Sequence, residues 1–173
     1  MSDDKKTVGQ DLCGLVRSAS SDFDFIIGSW DIKHRRLKSI LNGCDEWVEF
    51  SGVSSAIKTL GGNGNIEDHT LESPESTFNA MAIRSYNEKS NKWAIWWLDG
   101  RMPDVIDKPV IGEFVDGKGL FYADEIYKGI PVKLRFTWIL QNLESPVWEQ
   151  AFSKDDGDSW ETNWIMELTK QNN

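Results

Sequence analysis

From residue 22 onward the chain runs in short stretches where apolar and polar side chains alternate. A period of two marks strands with one face in a core and the other in water. Residues 22–37 read as the first long strand, and Trp30, Ile32, His34 and Arg36 share one of its faces. If Trp30 points inward, His34 and Arg36 follow it. Similar runs recur at 46–57, 66–71, 78–86, 93–99, 110–115, 119–127, 131–140, 147–153 and 162–169. Turn signals stand between several of them, at Asn42-Gly43, Asp116-Gly117 and Lys128-Gly129. The pattern predicts an all-β protein: about ten antiparallel strands in an up-and-down barrel, whose closure removes exposed sheet edges. Residues 10–19 predict a short N-terminal helix, with Leu12, Leu15 and Val16 on one side, closing one end. Residues 1–9 read as a disordered polar tail, and 10–173 as one barrel domain.

Two stretches depart from the alternation. Residues 93–99 are apolar on both faces: Trp93, Ile95 and Trp97 on one, Trp96 and Leu98 on the other. A barrel strand ordinarily shows one face to water, so the N-terminal helix or a second subunit is expected over the outside. A homodimer is favoured. Gly61-Gly-Asn-Gly-Asn65 lacks the Lys-Ser/Thr of a phosphate-binding loop and reads as a flexible connector.

Composition adds an aromatic interior. The 173 residues include nine Trp, eight Phe and three Tyr, enough to fill a core or line a pocket. The net charge of −9 argues against nucleic acid and anionic membranes as partners. No apolar run approaches a membrane span, and the N-terminus lacks a signal-peptide core. Cys13 and Cys44 read as free thiols, and the expected location is cytoplasmic.

Gly28-Ser-Trp30 at the head of a ten-strand meander resembles the calycin superfamily of lipocalins, fatty-acid-binding proteins and nitrobindin-like barrels. In lipocalins the tryptophan of this Gly-x-Trp packs at the closed end. Residues 23–30, 96–101 and 148–164 are similar to an uncharacterised bacterial domain family of this barrel type. The resemblance implies a fold and no activity. Nitrobindin-like barrels hold haem through a histidine near the C-terminus, and this chain has none after His69. A local stretch, Ser153-Lys-Asp-Asp-Gly-Asp-Ser-Trp160, resembles the Asp box of sialidases, a structural hairpin turn. Its calcium-binding alternative lacks the distal glutamate of an EF-hand loop.

No motif fixes a reaction. The two His and two Cys have no zinc spacing, and neither a metal nor a cofactor is expected. The best candidates for chemistry are His34 and Arg36, by strand parity with Trp30. His34 reads either as an acid–base group or as a core histidine satisfied by a carboxylate. Glu49 shares a face with Trp47, Arg84 with Tyr86, and Arg135 with Thr137; Glu149 is placed to orient His34. Asp99 and Arg101 flank a glycine at a strand end, where they pair with each other or meet a ligand. The expected function is binding of a small, largely apolar or aromatic ligand, with or without an acidic group, in an aromatic-lined cavity. Trp30, Trp97 and Tyr86 would stack on it. One alternative is a cofactor-free isomerase, cyclase or hydratase using His34, Arg36 and Glu149. Another is a structural dimer whose barrel is filled by its own tryptophans.

Overall fold

The computed structural model describes residues 19–172. Ten strands alternate up and down: β1 (Gly28–Leu37), β2 (Trp47–Thr59), β3 (Gly64–Glu72), β4 (Thr77–Asn87), β5 (Lys92–Asp99), β6 (Val110–Val115), β7 (Lys118–Tyr127), β8 (Ile130–Ile139), β9 (Val147–Ser153) and β10 (Glu161–Lys170). Each pairs antiparallel with its chain neighbour, and β1 pairs with β10 to close the barrel. The expected architecture is therefore present.

Tight turns set the hairpins. Asp116 and Gly117 both have positive φ, as do Lys128 and Gly129. That is the backbone of two-residue turns whose twist matches the strands they join. Gly112 lets β6 and β7 approach closely, since a Cβ there would stand 1.8 Å from the Leu120 carbonyl oxygen.

One end of the barrel is plugged. Residues 22–27 are not strand: Ala19–Ser21 and Asp24–Ile26 are short 3-10 helices lying ahead of β1. They seat Phe23, Phe25 and Ile26 in the core. Phe23 meets Trp93, Phe114 and Trp138 edge to face, with centroids 4.9–6.1 Å apart. Trp30 donates to the Ile26 carbonyl at 2.7 Å, and Trp93 to the Ala19 carbonyl at 3.0 Å. Burying the aromatics of 23–26 wins over continuing β1, because a strand there would leave the barrel end open to water. The helix expected at 10–19 lies, but for Ala19, outside the described residues.

The glycine-rich 61–65 stretch connects β2 to β3 through a hydrogen-bonded turn. The Asn63 N–H bonds the Leu60 carbonyl, the Tyr86 N–H bonds the Asn63 carbonyl, and Asn65 is a buried residue of β3. At the other end the wall is irregular. β5 pairs with β6 at only three positions, from Trp93↔Gly112 to Ile95↔Val110. Beyond them the 100–109 loop folds back along β5, through a Leu98↔Ile106 bridge and an Asp107 N–H to Trp97 carbonyl bond of 3.0 Å.

The Asp-box turn caps the β9–β10 hairpin. Asp155 accepts from the Ser159 N–H at 2.9 Å and from the Ser153 hydroxyl at 2.7 Å, while Trp160 donates to the Gly157 carbonyl at 3.0 Å. Hydrogen bonds from Ser159 and Ser153 hold the Asp155 carboxyl below its ordinary value.

Candidate functional site

The inward faces of β1, β2, β3 and β4 carry polar groups into an aromatic core. Glu67 is the centre. It is fully buried and accepts from the Ser54 hydroxyl at 2.6 Å and from Arg84 Nη2 at 2.5 Å. Arg84 Nη1 in turn donates to Asn65 at 2.8 Å. His69 Nε2 lies 3.4 Å from Glu67. Burial opposes the charged form of Glu67, but the neighbouring His69 and Arg84 outweigh it and keep the carboxyl below its usual range.

His34 stands on the same inner wall. Its ring stacks on Phe50 with centroids 4.6 Å apart, and its Nδ1 accepts from Trp164 Nε1 at 3.2 Å. The ring occupies space that Gly52 leaves, since a Cβ at 52 would stand 2.7 Å from His34 Nε2. Burial, followed by the charges of His69 and Arg36, pushes the His34 pKa down to about 3. The imidazole is neutral at physiological pH. Its partner is an indole, where the sequence pointed to a carboxylate.

Two chambers lie inside the barrel. The larger, of about 220 Å³, sits toward the irregular end among Trp97, Phe136, Trp148, Phe152 and Trp164. Gln150, Asp107, Lys108 and Glu125 add polar groups to its lining. The smaller, of about 30 Å³, lies deeper and is lined by Glu67, His69, Arg84 and Trp138. Both share Ile95, Trp97, Phe136, Trp148 and Met166 as walls. Toward the plugged end the aromatics fill the barrel.

Charges gather near the open end. Arg36 lies over the Trp164 ring at 4.7 Å. Burial and then the nearby Arg101 charge draw its pKa down from the ordinary value. Asp107 is raised, first by burial and then by the charges of Glu125 and Asp99. Asp99 and Arg101 form a two-pronged pair, with Arg101 Nη2 2.6 Å from Asp99, and Arg101 stacks on Phe78. Of the two roles open to that pair in the sequence, the structure displays the mutual one that fixes the turn.

The expected site residues do not all converge. Arg84 and Trp97 line the chambers, and Arg36 stands on the inner face near the mouth. Trp30 and Tyr86 lie at the plugged end, where Tyr86 packs on Trp93 and donates to Asn91 at 3.0 Å. Trp47, Glu49, Arg135 and Glu149 stand on the outer wall. Trp47 is 37% exposed, Glu49 pairs with Lys33 at 3.4 Å, and Arg135 stacks on Trp160 at 4.3 Å. Glu149 pairs in register with Thr137 and Ile165, away from His34, so it does not orient that ring. The reason is parity: each lies an odd number of positions from an inward residue of its strand, such as Phe50, Phe136 or Trp148.

Sequence reasoning missed Glu67, His69, Asn65 and Ser54. On β3 the alternation Asn65, Glu67, His69, Leu71 was available. It was masked by Ile66, an apolar residue of the outer face. Among the described residues no group of three or more His, Cys, Asp or Glu is arranged to hold a metal ion. Nor is any helix there long and apolar enough to cross a membrane.

A closed ten-strand antiparallel barrel, plugged at the end where the Gly-x-Trp tryptophan packs, is a calycin-like barrel. Among solved structures it is similar to an S-type phycobiliprotein lyase from Guillardia theta, with a TM-score of 0.62 and 9% sequence identity. The match covers 91% of this chain and 95% of that one, and at this identity it speaks for the fold alone. No protein-family model matches the sequence, and no curated protein does.

Proposed function

We propose that the protein binds a small, largely apolar or aromatic molecule in the open half of the barrel. The observation that carries this reading is the chamber of about 220 Å³ walled by Trp97, Phe136, Trp148 and Trp164. Flat aromatic walls with a few polar groups at the rim are the usual composition of a small-molecule site. Likeness to a phycobiliprotein lyase barrel is consistent with a small ligand. An acidic group on the ligand would meet Lys108, the cationic side chain in that chamber's lining. Among the described residues Cys44 is in no disulfide, which is compatible with the cytoplasmic setting we propose.

Binding is favoured over acid–base catalysis because His34 lines neither chamber. Phe50 and Trp164 pack against its ring. The test is a fluorescence titration with planar aromatic probes, such as 2-acetylnaphthalene, read through the tryptophans of the wall. Leu134 lines the chamber and is partly buried. Leu134→Trp should fill the space and abolish quenching while leaving the far-ultraviolet dichroism of the barrel unchanged. Equal quenching in the variant and the parent would sink the reading.

A further inference from the structure

The small chamber has an unusual lining. Trp138 and Arg84 are each 3% exposed, and each carries a fully buried nitrogen, Nε1 and Nε, with no hydrogen-bond partner. His69, also 3% exposed, has Nε2 at ion-pair distance, 3.4 Å, from Glu67, and its Nδ1 has no hydrogen-bond partner. A buried polar group left unpaired costs about 1–3 kcal/mol, so three such residues around one space call for an explanation.

The chemistry of the missing partner follows from the donors. Indole Nε1–H and guanidinium Nε–H only donate, at any physiological pH. His69 takes either tautomer and adapts to what the others hold. The partner is therefore an acceptor. Its charge follows from the neighbours: Glu67 stands at ion-pair distance from both Arg84, at 2.5 Å, and His69, at 3.4 Å, so with the imidazole neutral the local net charge is near zero. A carboxylate there would be a second buried anion without a counter-charge, which is strongly unfavourable. A neutral carbonyl oxygen would not. The volume agrees, because about 30 Å³ admits one polar group and excludes a ring. The walls shared with the larger chamber place this pocket at the inner end of the same space.

Resting on the binding reading above, we propose that the small chamber is an anchoring subsite for a neutral carbonyl oxygen at the tip of the ligand. The ligand class is then a planar apolar or conjugated ketone, amide or lactam, its ring system among Trp97, Trp148 and Phe136 and its carbonyl held by Trp138 and Arg84. An acidic group on the same molecule would lie at the opposite end, by Lys108.

Three probes of one skeleton test this in the intact protein: 2-acetylnaphthalene, 2-ethylnaphthalene and 2-naphthoate. The ketone should bind about tenfold more tightly than the hydrocarbon, the gain of two modest hydrogen bonds to otherwise unpaired donors. Trp138→Phe removes one donor and keeps the shape, and it should narrow that preference while leaving affinity for 2-ethylnaphthalene unchanged. The parent protein supplies a second readout that needs no variant. The infrared carbonyl stretch of bound 2-acetylnaphthalene should fall below its position in a dry hydrocarbon solvent. Equal affinity for ketone and hydrocarbon, an unshifted carbonyl band, or a preference surviving Trp138→Phe overturns the anchor while leaving the binding site standing. Tighter binding of 2-naphthoate than of the ketone that is weakened by Trp138→Phe also overturns it, in favour of an anion site. If none of the three binds, the binding reading itself falls, and the anchor with it.

Discussion

His34 shows how much one side chain's surroundings alter its chemistry. On sequence it is a candidate acid–base group, but in the barrel it is fully buried, stacked on Phe50 and tied to Trp164. Its folded pKa of about 3 lies below the ordinary 6.5. The unfolded chain therefore takes up a proton first as the pH falls. His34's contribution is complete above pH about 6.5 and is lost as the pH drops toward about 3, at roughly 1.4 kcal/mol per pH unit. Denaturation in urea between pH 7 and 5 should show this slope, and His34→Asn should flatten it, costing more stability at pH 7 than at pH 5. An unchanged slope in the variant would remove His34 as the cause. Glu67 acts in a lower window. Its folded pKa is depressed, so its stabilisation is present above the ordinary carboxylate value and is lost as the pH falls through the folded one. Glu67→Gln leaves Arg84 buried without its counter-charge and should cost about 3 kcal/mol or more. Glu67→Met combined with Arg84→Met should cost less than the single change, which urea midpoints would decide.

Among the elements, strand parity was legible and strand irregularity was not. Trp30, His34 and Arg36 were placed on one face of β1 by counting, and they lie there. Counting cannot choose which face is inside without an anchor. Trp47 and Glu49 on β2 therefore read as inward, although their strand faces the core with Phe50, Gly52 and Ser54. On β10 a bulge between Thr162 and Trp164 inserts Asn163, which is fully buried. It turns Trp164 into the barrel while Trp160, four residues earlier, packs outside on Tyr122 and Arg135. Straight alternation puts both tryptophans on one face, and one extra residue reverses that. The same limit hid the deep chamber, whose lining comes from β3, β4, β5, β8, β9 and β10.

For the molecule as a whole, the outer wall carries an apolar row. Ile57, Ile66, Ile83 and Trp96 stand opposite one another across β2, β3, β4 and β5, and Ile57 is 62% exposed. Such a row continues the expectation of a partner over the outside of β5, and we propose a homodimer through it. Sedimentation at micromolar concentration should give a two-subunit mass, and Ile57→Lys should shift it to one subunit with the barrel intact. A parent protein that sediments as one subunit would retire the dimer.

The residue pattern carried the fold, because alternation, turn pairs and short runs are local properties written within a few neighbours. It carried much of the aromatic interior as well, although Trp47 and Trp160 stand on the outer wall. The location of the functional space was not local. The β1–β10 closure, the plug at 19–26, the bulge at Asn163 and the meeting of Arg84, Glu67, His69 and Trp138 all depend on which distant strands become neighbours. A buried charge network and its unpaired donors exist only where several strands contribute one side chain each, and no window along a single strand contains that information.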